Sequence, residues 1–183
     1  MFKIEGKDIY LRYVEIDDAE FLYSLRTDPV LSKYISSVNS GVAEQVDWIK
    51  KYKEREKNNL EHYFIVCFKT GERVGTIRIY DFKGNSFCSG SWIVKPDAPI
   101  CIAVEAIMAM YEYGFYYLGF TQSHLDVMKN NRSVANFMLS FGAKFTSENG
   151  NKNYYVLKKE DFEKSKVKYK RFYQKIKIID LKR

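Results

Sequence analysis

His124 and Asp126 stand two residues apart in the run His124-Leu125-Asp126-Val127-Met128, and Asn131 follows where that run ends. The alternation of apolar and polar residues makes the run a half-buried strand, so the imidazole and the carboxylate share one face as a candidate polar cluster. Either group, placed beside a substrate, can take up a proton as a general base. Asn131 brings a donor and an acceptor to the turn, and Ser133 adds a hydroxyl just after it. Each has a structural role to set against the chemical one: hydrogen-bonded strand residues for His124 and Asp126, a helix cap for Asn131. His62 is the only other histidine. Cys67, Cys88 and Cys101 are an odd number without C-x-x-C spacing. They read as small core residues of a reducing compartment rather than as a zinc or disulfide framework, and no metal is expected.

These residues need a scaffold, and the chain spells one out. Val134, Phe137, Met138 and Phe141 recur at helical spacing after Asn131, and Gly142 closes that helix eleven residues on. Upstream, Ile9 to Val14 alternates as a first strand. Asp17 with Glu20 offers a capping box for a helix that stops at Asp28-Pro29, and a second helix is predicted over Val42 to Lys57. Strands follow at His62 to Phe68 and Arg73 to Phe82, joined by Lys69-Thr70-Gly71-Glu72. After the turn at Gly84-Asn85 comes a strand from Ser86 to Val94. Lys95-Pro96-Asp97-Ala98-Pro99 then interrupts the sheet before a long helix reaching about Tyr117. A last strand is predicted at Asn153 to Leu157. The order is β-α-α-β-β-β-α-β-α-β.

At 183 residues the chain is long enough for one domain with its own core. Its N-terminus carries charges where a signal peptide needs an apolar run, and its most apolar segment, Ala98 to Met110, is too short for a membrane span and contains Glu105. The expectation is a cytoplasmic protein. The formal charge of +7 is concentrated at the end: Lys164 to Arg183 holds nine Lys and Arg against Asp180 alone. No recognition motif accompanies that run, so nucleic acid is not the expected partner. The tail reads as a basic helix docking Phe172, Ile176 and Ile179; an alternative reading is that its cations help attract an anionic substrate. The expected division is a domain over 1–159 and a basic, helical extension over 160–183.

The element order over roughly residues 8 to 157, together with the strand, Asn131, helix and Gly142 arrangement, resembles the GCN5-related N-acetyltransferase (GNAT) family. Leu11-Arg12, Arg26-Thr27-Asp28-Pro29 and Glu44-Gln45-Val46-Asp47-Trp48-Ile49 further resemble the branch holding ribosomal-protein alanine acetyltransferases and nucleotide-linked amino-sugar acetyltransferases. The resemblance implies an α/β fold with a mixed, mostly antiparallel central sheet, two splayed strands and flanking helices. It implies acetyl-CoA as co-substrate and a primary amine as acceptor, attacking directly in a ternary complex.

What the resemblance implies can be placed on residues. The splayed strands are Ser91-Trp92-Ile93-Val94 and Leu125-Asp126-Val127-Met128, so Trp92, Ile93 and Val94 offer backbone to the pantetheine arm. Lys95 and the first-turn amides of Ile100, Cys101, Ile102 and Ala103 face the pyrophosphate, and Asn131, Ser133 and Asn136 complete the cofactor set. Arg26, Trp48 and Tyr80 are implied on the acceptor side. Two departures stand out. The glycines of the family's phosphate loop are replaced by Pro99 and Cys101, which removes an N–H donor and crowds the approach. The family's acid tyrosine falls on Met138, which has no proton to donate. The candidate catalytic groups are then His124, Asp126 and Ser133. The favoured acceptor is the amine of a nucleotide-activated amino sugar in surface-glycan synthesis. The alternatives are protein N-terminal acetylation of the ribosomal-protein type and a non-catalytic binding module.

Overall fold

The computed structural model describes residues 2–35 and 41–180; Lys182 and Arg183 of the basic tail lie outside them. Nine strands among the described residues form one sheet: β1 Phe2–Glu5, β2 Ile9–Tyr13, β3 His62–Phe68, β4 Arg73–Lys83, β5 Ser86–Val94, β6 Gln122–Met128, β7 Lys144–Asn149, β8 Lys152–Lys158 and β9 Lys177–Asp180. Their order across the sheet is β7-β8-β6-β5-β4-β3-β2-β1-β9. Every neighbouring pair is antiparallel except β5 with β6. The connection between those two strands is the long helix α3, Ile100–Glu112, continued by a wider π turn at Tyr113–Tyr117. A parallel pair requires such a crossover.

The helix α3 is apolar nearly all round, and every residue from Val104 to Glu112 is buried. It lies across β2, β4 and β5 and forms the larger core with Phe64, Ile77, Phe87 and Leu125. Glu105 fixes its position. Its carboxylate accepts from the amides of Asp8 at 2.9 Å and Ile9 at 3.4 Å, tying α3 to the β1–β2 turn. On the opposite face, α1 (Ala19–Thr27) and α2 (Val42–Lys57) cover Tyr63, Ile65, Cys67 and Ile93 with Leu22, Leu25, Ile49 and Tyr52. The helix α4, Arg132–Ser140, packs Phe137 and Met138 beside β5 and α3.

Four local readings need correction. The capping box at the first helix is formed by Glu15 and Asp18, not Asp17 and Glu20, because a 3-10 turn at Ile16–Asp18 precedes α1 and sets the cap back. The strands β1 and β7 were not expected. The first is four residues long, and the second is exposed throughout, so it carries no buried face to read. The tail is helical only over α5, Lys159–Lys168. It then turns and returns to the sheet as β9, pairing Ile179 with Lys3 on β1. Phe172 and Ile176 do pack on the main core, but outside any helix. The reason is local: Glu112 accepts from the Tyr173 hydroxyl and from the Ile176 amide at 3.2 Å, which fixes the chain beside the open edge of β1.

Candidate functional site

The site begins where the parallel pair comes apart. Partners in β5 and β6 are Ser86 with Gln122, Phe87 with Ser123 and Cys88 with His124, and the register ends there. Beyond it β5 stays with β4, through Thr76 opposite Ile93 and Gly75 opposite Val94, while β6 stays with β8 as far as Met128 opposite Lys152. The edge of β5 from Ser89 onward is therefore turned toward a gap rather than a neighbour, which leaves its backbone groups open to an added strand-like ligand.

A bulge sharpens the divergence. Thr76 opposes Ile93 and Arg78 opposes Gly90, so Ser91 and Trp92 on β5 face the single residue Ile77 on β4. Ser91 takes a φ of 48°, unusual for a residue with a side chain, and its carbonyl is held by the Thr76 hydroxyl at 2.8 Å. The Ser89-Gly90-Ser91 run is the sequence signal for this feature, since glycine inside a strand marks a bulge or a close approach.

The gap opens into a cavity of about 700 Å³. Trp92, Ile93 and Val94 form one wall, and Asn131, Ser133 and Met138 another. Tyr80, Asp126 and Lys152 line it from the face that carries α1 and α2, together with Lys33 and Tyr34 from the segment after α1. The indole of Trp92 lies against Phe137 with ring centroids 5.2 Å apart, and its buried Nε1 has no hydrogen-bond partner among the described residues. Asn131 caps α4 by accepting from the Val134 amide at 3.3 Å, and its own amide donates to the Met128 carbonyl at 2.8 Å. Met138 is buried at the cavity wall. Asp126 pairs with Lys152 at 2.8 Å, a bond that pushes the ammonium pKa of Lys152 up.

Other expected residues fall outside this cavity. His124 sits at the last paired position, where Nδ1 lies 2.7 Å from the Ser86 hydroxyl and Nε2 3.2 Å from Asp81. It shares a strand face with Asp126 but has separate partners. Asn136 is exposed on α4. Trp48 is stacked on Tyr52 at 5.8 Å and meets Tyr63 edge-on at 5.8 Å, with the guanidinium of Arg78 5.4 Å from its ring. Arg78 in turn lies 4.5 Å from the ring of Tyr80, and buried Glu61 pairs with both Arg78 and Arg55. Trp48 thus belongs to a ladder that braces Tyr80. Burial, then the neighbouring Cys88, pushes the Tyr80 pKa up, so its hydroxyl is protonated at neutral pH. Arg26, on the last turn of α1, is close enough for its charge to act on Tyr63.

The remaining cofactor candidates lie past the end of β5. Pro99 caps α3 without a side-chain bond, and its carbonyl accepts from the Ile102 amide at 2.9 Å. Ile100 and Cys101 precede any intrahelical acceptor and keep the outward amides of that first turn. Lys95 holds its backbone to Val74 and directs its ammonium to Glu72 at 3.8 Å. Lys33, Tyr34, Lys152 and Arg78 carry no motif in the sequence. They reach the site only through the fold.

Residues 8–144 match the family described as an acetyltransferase (GNAT) domain. The chain belongs to the GNAT family of acetyltransferases, enzymes that use acetyl-CoA as acyl donor. Among solved structures it is similar to apo FdhC, described as a nucleotide-linked sugar GNAT, with 41% identity, 94% of this chain and 98% of that chain covered, and a TM-score of 0.86. Mycobacterium smegmatis RimJ in complex with CoA-disulfide shares 14% identity over 92% of this chain and 95% of its own, with a TM-score of 0.77. The spermidine N-acetyltransferase of Vibrio cholerae, in complex with CoA and spermine, shares 16% over 85% and 98%, with a TM-score of 0.71. The last two show the fold alone. No curated protein matches the chain.

Proposed function

We propose that this protein transfers the acetyl group of acetyl-CoA to the primary amine of a nucleotide-activated amino sugar, in the cytoplasm, as a step in surface-glycan synthesis. The observation that carries the reading is the 41% identity, over nearly the full length of both chains, to a nucleotide-linked sugar GNAT. Three cysteines without disulfides suit a reducing compartment, and no helix among the described residues is long and apolar enough to cross a membrane.

The residues present fit coenzyme A. The open edge of β5 at Trp92 to Val94 offers backbone groups to the amides of a pantetheine arm, and Trp92 Nε1 is a buried donor with no acceptor among the described residues. Ile100 and Cys101 offer amides at the N-terminus of α3 to the pyrophosphate, although Pro99 contributes no donor. Asn131 and Ser133 hold the far wall. When bound, the thioester supplies an electrophilic acetyl carbon and a thiol leaving group.

The chain's own residues do the rest. The bulge at Ser91 interrupts the β4–β5 register beside the gap, where N–H donors from β5 would stabilise charge developing on a carbonyl oxygen. Asp126 faces the cavity and attracts the acceptor's ammonium, lowering the cost of bringing it to the site and taking up its proton. Tyr80 is the protonated hydroxyl in the cavity, where Met138 has none to give. Holding amine and thioester together in one cavity accounts for much of the acceleration.

The test is an acceptor panel with acetyl-CoA, followed by release of free thiol and by product mass. The panel holds UDP- and dTDP-linked amino sugars, N-terminal alanine and serine peptides, and spermidine. Turnover of at least one nucleotide-linked amino sugar, with none of the peptides, is expected. Peptide turnover without sugar turnover would move the acceptor to protein N-termini.

A further inference from the structure

The cavity's acceptor side carries charges of both signs on residues far apart in the chain. Lys33 comes from the segment between α1 and α2, Lys152 from β8 and Asp126 from β6, and all three line the same space. Lys152 is committed to Asp126 at 2.8 Å. Lys33 stands over the ring of Tyr34 at 5.2 Å, a contact that holds the side chain without neutralising it. Both lysines reach solvent: Lys33 is exposed, and the Lys152 side chain is 42% accessible. A compact ammonium on a flexible stem is a phosphate ligand by chemistry, and two of them at the rim of one cavity match a group with several anionic oxygens.

The sign of these charges also sorts acceptors. A polyamine brings only positive charge and would meet two ammonium groups against the single carboxylate of Asp126, a balance that disfavours its entry. A peptide N-terminus is a cation with no fixed anion beside it. An amine that carries its own diphosphate satisfies both signs at once, the amino group toward Asp126 and the phosphates toward the lysines. The overall charge of +7 adds steering in the same sense.

Resting on the reading above, we propose that Lys33 and Lys152 form a diphosphate-binding subsite for the acceptor, with Tyr34 as the adjoining surface for its base and Asp126 as the anchor for its amine. The subsite is separate from the coenzyme's phosphates, which belong at the N-terminus of α3.

Two measurements on the full chain test this. In the first, UDP and dTDP are titrated by calorimetry into protein saturated with coenzyme A, for the wild type, Lys33→Ala and Lys152→Met. The wild type is expected to bind one of the two nucleotides, and each variant to weaken that affinity about tenfold. In the second, KM is measured for each substrate. The KM for the nucleotide-linked amino sugar should rise about tenfold in each variant, and that for acetyl-CoA should stay within about twofold. A rise in the acetyl-CoA value instead would assign the lysines to the coenzyme and overturn the subsite. Sugar turnover indifferent to both substitutions would overturn the subsite while leaving the acceptor class standing. Lysine-dependent nucleotide binding without sugar turnover would keep the subsite and sink the acceptor class. Loss of both would sink the two together.

Discussion

Asn131 stands at the boundary between strand and helix and lines the cavity, so its side chain has two tasks to divide. As a cap it satisfies one orphan amide of α4, and Asn131→Ala should cost about 1 kcal/mol of stability. In the proposed complex it also meets the cofactor, and the same substitution should then raise the acetyl-CoA dissociation constant at least several-fold, tenfold for each about 1.4 kcal/mol lost. A thermal melt and a calorimetric titration on the folded variant separate the two effects. An unchanged dissociation constant would leave Asn131 as a cap only. His62 offers a pH test at the same scale. It is buried, stacked on Tyr13 at 5.5 Å and edge-on to Tyr113 at 5.7 Å, and neither ring nitrogen has a partner among the described residues. Burial lowers its pKa from 6.5 to about 4. Unfolded protein takes the proton near pH 6.5, whereas folded protein resists it until about pH 4. The contribution is therefore full above pH 6.5 and drains between 6.5 and 4, on the order of 3 kcal/mol in all. Urea midpoints at pH 7 and pH 4.5 should fall further for the wild type than for His62→Phe. Equal falls would show that His62 is not the group being titrated.

At the scale of elements, much of the molecule is readable because the buried faces repeat. The helix α2 lies at Val42–Lys57, the bounds that its apolar stripe predicts, and β3 runs from His62 to Phe68 as its continuous apolar run requires. Elements without such a face escape. In β7, Lys144–Asn149, every residue is exposed, and the strand exists because β8 and the turn at Gly150, with a φ of 55°, supply its partner. The site divides in the same way. Asp126 and Asn131 are legible because one strand, one turn and one helix place them. The bulge at Ser91 is marked only by the adjacent Gly90. Lys33 and Lys152 are not legible at all, since nothing local ties a surface lysine after α1 to another on β8. His124 shows the converse. Its residue type invites a catalytic role, yet the fold spends both ring nitrogens on Ser86 and Asp81 at the last paired position of β5 and β6.

For the whole molecule, the sheet has one internal discontinuity and two outer edges, β7 and β9. The basic tail, which in sequence looks like an appendage, covers what would otherwise be an edge at β1 by adding β9 to it. What is left unpaired inside the sheet, among the described residues, is the edge of β5 past Cys88, and that is the proposed seat of acetyl-CoA. Amide hydrogen exchange, read by mass spectrometry with and without saturating acetyl-CoA, tests that placement directly, because amides that gain an acceptor exchange more slowly. Protection is expected to appear in Ser89 to Val94 and in the first turn of α3, at Ile100 and Cys101. Exchange at β7 and β9 should be unchanged. Binding of acetyl-CoA that leaves the β5 amides as fast as before, or no binding at all, would contradict it.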